Sequence, residues 1–493
     1  MQSPSTVQMT IISLFLIFTL SLSRKAFLAS AGKDPPPRFE LIHRHSPQLS
    51  EHEATAYSPP KNLSERVRLL IDGDIARQEM ISQRLQDRRR RGRIRKASEI
   101  SHHRTFNGTS NIVKIPLRSG ADRGLGQYFV SFRVGSPPQK FVLIADTGSD
   151  LTWMHCNHKG ENCPKDGLTP PNRMFQADAS STFKTIPCSS RTCKVDLQDT
   201  FSLSMCPTPV TPCAYDYSYF DGSKVRGFFA NETVTAGSID RRKKVRLKEV
   251  TVGCTDWANG NFHNADGVLG LGFGKNSFAA TAAKLFDNKF SYCLVDHLSP
   301  SNFANFLNFG NTSKQHIQNM QHTQLILGEL NPFYAVNVSG ISIAGKMLNV
   351  PPEMWHIHGA GGVILDSGTT LTFLGEPAYA AAVAALRAPL EKYKKLGHVL
   401  GPLRFCYNDP RFDMADVPQF VLHFADGAKF VPPKKSYVID ADVGVKCIGF
   451  ASAGWPANTV IGNIMQQNHL WEFDLANHRL GYAPSTCDFH SQF

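Results

Sequence analysis

The rhythm of hydrophobic positions changes near residue 110. Ahead of that point, Ile-Ile-Ser-Leu-Phe-Leu-Ile-Phe-Thr-Leu-Ser-Leu over 11–22 forms one short apolar run. It is too short to span a bilayer comfortably and has the length of a signal-peptide core. From Ser64 onward, Val67, Leu70, Ile71, Ile75 and Met80 recur near helical spacing, which predicts one or two basic helices within 62–96. Beyond residue 110, short runs of Val, Ile, Phe and Thr are broken by Gly, Pro, Asn and Asp, the texture of an all-β body, mainly strand with few short helices. The best helical stretches there are Ala279–Leu285 and Ala378–Leu396.

The body repeats one pattern. Phe141-Val142-Leu143-Ile144-Ala145 leads into Asp146-Thr147-Gly148-Ser149, and Gly362-Val363-Ile364-Leu365 leads into Asp366-Ser367-Gly368-Thr369. An apolar-apolar-Gly element follows each: Val268-Leu269-Gly270, then Val460-Ile461-Gly462. Two β lobes with one Asp loop apiece are implied. Between the first Asp loop and Val268, Tyr215, Tyr217 and Tyr219 alternate with smaller residues. Asp221-Gly222 then supplies a hairpin turn, and Val225, Gly227 and Phe229 resume the alternation.

Length and charge locate a separate leader. The 493 residues suffice for two lobes and more. Eighteen Lys and Arg against ten Asp and Glu fall in residues 1–110, so most of the net charge of +12 belongs to the leader. Its densest run, Arg88 to Lys96, has no interleaved aromatics and no recognisable nucleic-acid motif, so nucleic acid is not an expected partner. Residues 1–31 read as a signal peptide, with Ala29-Ser30-Ala31 for cleavage. Arg24 and Lys25 follow the apolar run instead of preceding it, and residues 1–33 hold no acid, which keeps a transit peptide and a chloroplast destination as the alternative. Secretion, to the extracellular space or vacuole, is the expectation, with no membrane span in the mature form. Residues 32–105 then read as a basic propeptide that Arg88-Arg89-Arg90-Arg91 exposes to cutting, and that inhibits the body. His43 and Arg44 are its first candidates for contact with the Asp pair. The two β lobes follow over 110–325 and 326–493. Sequons stand at Asn62, Asn107, Asn231, Asn311 and Asn337.

Eleven cysteines, Cys156, Cys163, Cys188, Cys193, Cys206, Cys213, Cys254, Cys293, Cys406, Cys447 and Cys487, all lie beyond residue 150. A zinc cluster is the rival to disulfides, but the close pairs lack the tight spacing of zinc hairpins, and His155 and His158 add little. Disulfides are expected, no metal or other cofactor is called for, and the odd count leaves at least one thiol without a partner in the chain.

Two carboxylates sharing one proton can hydrolyse an amide without a metal, one taking a proton from water while the other gives one to the substrate. The neighbours fit this chemistry. Thr147 and Ser367 can reach across to the opposite loop, Gly148 and Gly368 let backbone approach the carboxylates, and Ser149 and Thr369 offer hydroxyls to them. One Asp-Thr-Gly is an ordinary turn, but two copies, each at the end of an apolar run and one per half, are specific.

On these residues the chain resembles the pepsin-like aspartic proteases over roughly 110–487. The cysteine-rich insert and Phe39-Glu40-Leu41-Ile42-His43-Arg44-His45-Ser46-Pro47 are similar to the plant nepenthesin type. The resemblance implies a bilobal fold with the cleft between two β lobes, and an aspartic endopeptidase acting on protein or peptide substrates at acid pH. It implies that Asp146 and Asp366 are catalytic, that Tyr219 is the flap tyrosine bonded to Trp153, and that the flap Asp221 and Gly222 and the loop residue Thr370 meet substrate. Gly270 and Gly462 match the strand that threads behind each catalytic loop. A monomer is expected. Phe220 departs from the pattern, standing where many relatives have Gly, as does the isolated pair Cys156 and Cys163 where relatives cluster three. The alternative is a catalytically inactive binding or inhibitor protein on the same fold.

Overall fold

The computed structural model describes residues 74, 75, 77 and 78, the strand Val113–Ser119, and residues 128–487 apart from short intervals, of which 160–172 is the longest. The apolar run 11–22, residues 29–31, His43, Arg44, Arg88–Arg91, Asn62, Asn107, Cys163, the flap-tip residues Phe220, Asp221 and Gly222, and Asn311 lie outside the described residues.

Strands dominate and assemble two lobes around a shared backing sheet. Tyr128–Val134 pairs with Val113–Ser119, which pairs with Asn305–Phe309, then Lys289–Cys293, then His469–Asp474, Arg479–Pro484 and Gln321–Ile326, all antiparallel. Crossing from Lys289–Cys293 to His469–Asp474 joins chain segments far apart in sequence, with Lys289 opposite Asp474 and Cys293 opposite Leu470. The seam is aromatic: Phe290 stacks on Phe473 with centroids 4.6 Å apart, and Tyr334 lies 4.7 Å from the same ring. Burying such rings contributes both area and ring-pair attraction.

Within each lobe the repeated sequence pattern becomes a repeated unit of structure. In the first, Gln139–Asp146 runs parallel to Gly267–Gly270, which also pairs antiparallel with Trp153–Asn157. In the second, Val363–Leu365 runs parallel to Thr459–Ile461, which also pairs with Thr372–Leu374. Each Asp is therefore delivered at the end of a strand buried on both sides.

Two helices show where local chemistry sets boundaries. Phe278–Lys284 starts at Ser277, whose hydroxyl accepts from Ala280 N, and buries its alanines against the sheet. The second, expected over Ala378–Leu396, spans Glu376–Arg387 and gives way to a single 3₁₀ turn, Ala388–Leu390. Pro389 is the reason, since it lacks an N–H and its ring collides with the carbonyl four residues back.

Ten cysteines form five disulfides: Cys156–Cys254, Cys188–Cys206, Cys193–Cys213, Cys293–Cys487 and Cys406–Cys447. The thiols of Cys188, Cys193 and Cys206, clustered closely enough to suggest a metal site, are consumed in two of these cross-links. No helix among the described residues is long and apolar enough to cross a membrane.

The strand behind the second Asp loop leaves no room for a side chain at Gly462. A Cβ there would lie 2.0 Å from the Leu371 carbonyl oxygen, whereas one at Gly397 would meet nothing within 4 Å. Gly462→Ala should therefore cost about 1–3 kcal/mol or more, as overpacking against backbone does. Gly397→Ala should leave the urea midpoint unchanged. Equal midpoints for both variants would contradict the close-approach account.

Candidate active site

The two Asp loops meet at the base of the cleft through a reciprocal pair of hydrogen bonds. Thr147 N donates to Ser367 Oγ at 3.1 Å, and Ser367 N donates to Thr147 Oγ1 at 2.8 Å. Ser367 Oγ donates in turn to the Ala145 carbonyl at 3.2 Å. Each loop thus satisfies the other's buried amide, and neither can shift without stranding one.

Around each carboxylate the contacts are the same. Gly148 N donates to Asp146 Oδ1 at 3.0 Å and Ser149 Oγ to Oδ2 at 2.6 Å. Gly368 N donates to Asp366 Oδ1 at 2.9 Å and Thr369 Oγ1 to Oδ2 at 2.6 Å. A Cβ on Gly148 would lie 2.7 Å from Asp366 Oδ1, and one on Gly368 would lie 2.3 Å from Asp146 Oδ1, so each glycine is required by the opposite carboxylate. Six residues beyond each Asp, Thr152 and Thr372 hydroxyls accept from Gly270 N and Gly462 N, tying the loops to the strands behind them.

Both carboxyls are buried, Asp146 at 2% exposure and Asp366 at 0%. Burial raises the Asp366 pKa above the ordinary carboxylate value, against the pull of the Arg77 guanidinium; Asp146 beside it adds to the rise.

That guanidinium comes from the leader. Arg77 Nη2 donates to Asp146 Oδ1 at 2.7 Å and to Asp366 Oδ1 at 2.9 Å, and Nε donates to Asp366 Oδ2 at 2.8 Å. Burial opposes its charge, but the two carboxylates outweigh burial and raise its pKa. One turn earlier, Asp74 accepts from Thr370 N and Leu371 N, and Gln78 Nε2 donates to the Asn458 carbonyl at 3.4 Å. Residues 74–75 and 77–78 are helical, in keeping with the periodicity of 62–96. His43 and Arg44, the expected contacts, lie outside the described residues; among the described residues the cation between the carboxylates is Arg77, whose side chain a helix directs into the cleft.

The hairpin expected to cover the cleft is present. Ala214–Ser218 pairs antiparallel with Lys224–Gly237, placing Tyr215 opposite Gly227 and Tyr217 opposite Val225, and Tyr219 N bonds to Ser223 O at 2.7 Å. Trp153 Nε1 donates to the Tyr219 hydroxyl, and both rings are buried with Phe262 edge-on to each. Burial raises the Tyr219 pKa well above its ordinary value, so the phenol stays protonated.

Over residues 128–311 the chain matches the family described as Xylanase inhibitor N-terminal, and over 333–484 the one described as Xylanase inhibitor C-terminal. It is 35% identical to Aspartyl protease family protein 2 of Arabidopsis thaliana over 374 residues, 75% of this chain and 73% of that protein. It is 31% identical to aspartic proteinase nepenthesin-1 of Nepenthes gracilis over 378 residues, 74% and 79% of the two chains. The chain belongs to the plant nepenthesin-type, pepsin-like aspartic proteases. The fold of this protease is also that of conglutin gamma, a basic 7S globulin from lupine seeds, with a TM-score of 0.60 at 18% identity over 76% of this chain and 95% of that one. At that identity the likeness speaks for the fold alone.

Sequence reasoning missed Asp74 and Arg77, which nothing in the leader distinguishes from its other charges. It also missed Gln466, whose side chain bonds the Ile461 carbonyl at 2.7 Å and accepts from the Tyr292 hydroxyl, bracing the strand behind Asp366.

Removing the Ser367 hydroxyl tests the cross-loop bond. Ser367→Ala leaves the buried Thr147 N–H without its acceptor and should destabilise the protease by about 1–3 kcal/mol in urea unfolding. A loss below about 0.5 kcal/mol, the size of an ordinary surface change, would show that the loops are held by other contacts.

Proposed function

We propose that this protein is made as a zymogen and, once processed, is an endopeptidase working at acid pH through Asp146 and Asp366. What carries the reading is the buried, cross-bonded carboxylate pair with matching donors on both sides. Those donors fix each carboxylate while leaving the space between them for a water molecule. In the reaction one carboxylate takes a proton from water as the water oxygen attacks the amide carbon, and the other, protonated, gives its proton to the carbonyl oxygen as the C=O π bond opens; the C–N bond of the tetrahedral adduct then breaks as a carboxyl proton passes to the departing amine nitrogen. Tyr219, with its hydroxyl engaged by Trp153, belongs to a hairpin that closes over bound peptide and excludes water. Thr370 lies four residues beyond Asp366 and lines the path of the peptide.

The zymogen reading rests on Arg77. A fixed guanidinium satisfies both carboxylates and fills the place where water and substrate would react. In this reading residues 32–105 are the propeptide, 1–31 direct the chain into the secretory pathway, and 110–325 and 326–493 are the two lobes of a monomeric mature enzyme. Five disulfides support an oxidising compartment. Asn231 and Asn337 are half-buried candidates for glycosylation.

The alternative, an inactive binding or inhibitor protein, draws on the inhibitor names of the matched families. The complete carboxylate pair and its hydroxyl partners favour the protease, because an inhibitor has no use for two buried acids held in register.

The pH dependence follows from the direction of the Asp366 shift. A raised pKa keeps its proton to higher pH than an ordinary carboxyl, so the singly protonated pair persists in mild acid and is lost as pH rises through that value. Activity of the processed protein on a denatured protein substrate should peak at roughly pH 3–5 and be stopped by pepstatin. Asp146→Asn and Asp366→Asn should each leave below about one hundredth of the parent rate, the scale of lost acid–base catalysis. A processed chain that folds but shows no pepstatin-sensitive hydrolysis would turn the assignment to the inactive alternative.

A further inference from the structure

The densest run of positive charge in the two lobes lies far along the chain from either Asp loop. Six of the eight residues 241–248 are Lys or Arg. Arg241, Arg242 and Lys243 lie outside the described residues. Lys244, Arg246 and Lys248 open the strand Lys244–Asn259, where they alternate with the core residues Val245 and Leu247. Successive side chains of a strand point to opposite faces, so burying the apolar pair turns the three cations outward together. All three are exposed, and among the described residues no carboxylate pairs with any of them. Glu249, the nearest acid in sequence, falls at the bulge between Leu247 and Val250, where the alternation is broken.

Register carries the charge across the sheet. Arg246 lies opposite Thr235, Val134 opposite Val234, and Arg133 opposite Lys140. One residue along the antiparallel pairing of Val134 with Val234, Arg133 meets Thr235. Lys140, Arg133, Thr235 and Arg246 therefore form one row across four strands, about 4.8 Å from each to the next. Lys244 and Lys248 flank the end of that row, each two residues or roughly 7 Å along the strand. Lys140 is exposed and Arg133 half-buried.

The features missing from this face select its partner. No large hydrophobic residue on these four strands is exposed. The face thus lacks an apolar wedge to enter a bilayer and a bare ring on which a base would stack. A polysaccharide bearing one carboxylate per sugar needs neither, and two arginines within the patch supply the planar donor forks that carboxylates accept from.

We propose that this face docks the protein onto an acidic polysaccharide of the polyuronate class. The inference rests on the processed form described above and not on its catalysis. Docking here leaves the cleft open. Val225, opposite Tyr217 in the flap hairpin, stands ten residues before Thr235 on one strand, roughly 33 Å away.

The test uses the processed protein, because the basic leader would itself bind a polyanion. Binding is measured at pH 5.5 on resins carrying polygalacturonate or its fully methyl-esterified, uncharged form. The parent should be held by the first resin alone and released as salt screens the contact. Replacing the three strand cations together, Lys244→Ser, Arg246→Ser and Lys248→Ser, should weaken binding tenfold or more. The melting temperature should stay within about two degrees, since exposed positions carry little stability. Lys284→Ser, Lys346→Ser and Lys394→Ser together remove the same charge from scattered exposed sites, and should leave binding within threefold of the parent. Equal losses in the two triple variants would overturn the proposal by making net charge the cause. Failure of the parent to bind polygalacturonate, or equal retention on the esterified resin, would overturn it as well. So would tenfold tighter binding to phosphatidylserine vesicles or single-stranded DNA, which would give the face to a different class of partner.

Discussion

Everything in the cleft depends on two like-charged side chains being held side by side out of water. Left to electrostatics, two buried carboxylates would move apart or bind protons. The reciprocal bonds between Thr147 and Ser367 prevent the first, because separating the loops would strand two buried amides. The second is the chemistry itself. The strands behind the loops have glycine where they pass closest, and the hydroxyls of Thr152 and Thr372 bond to those glycines. A site needing this precision is thereby built on rigid elements.

The leader segment meets the same constraint from the other side. A guanidinium is planar, permanently charged and able to donate in a fixed fork, so it can satisfy two carboxylates together where a lysine would offer a single point charge. Arg77 reaches both while Asp74 holds the helix one turn away, and this pair of anchors fixes register as well as charge. The contact spans 69 and 289 positions of sequence, which makes it a property of the folded chain and of no local motif.

How much of this the sequence disclosed depended on whether the signal was local. The strand-Asp-hydroxyl-Gly repeat, the tyrosine alternation of the hairpin and the apolar-apolar-Gly strands are contiguous patterns, and the two-lobed β fold was readable from them. Pro389 was equally local, and giving it more weight would have ended the second helix at Arg387. The disulfides Cys188–Cys206 and Cys193–Cys213 interleave, and spacing alone does not choose among such pairings. Arg77 was illegible for a different reason. It stands among many leader cations, and only the direction of its helix and the burial of its target single it out. The dense arginine run at 88–91 suits a place to cut, whereas a buried site needs one cation in the right place.

The most direct measurement is the activity of a precursor whose leader cannot be removed, with Arg88–Arg91 replaced by alanine, before and after Arg77→Ala. With Arg77 in place, acid hydrolysis of a denatured protein should be negligible beside that of the processed form. Removing one partner of a buried charge pair costs several kcal/mol, so Arg77→Ala should raise the rate of the uncut precursor roughly thirtyfold or more. An Arg77→Ala precursor as silent as its parent, beside an active processed enzyme, would contradict the claim that this one guanidinium holds the carboxylate pair shut.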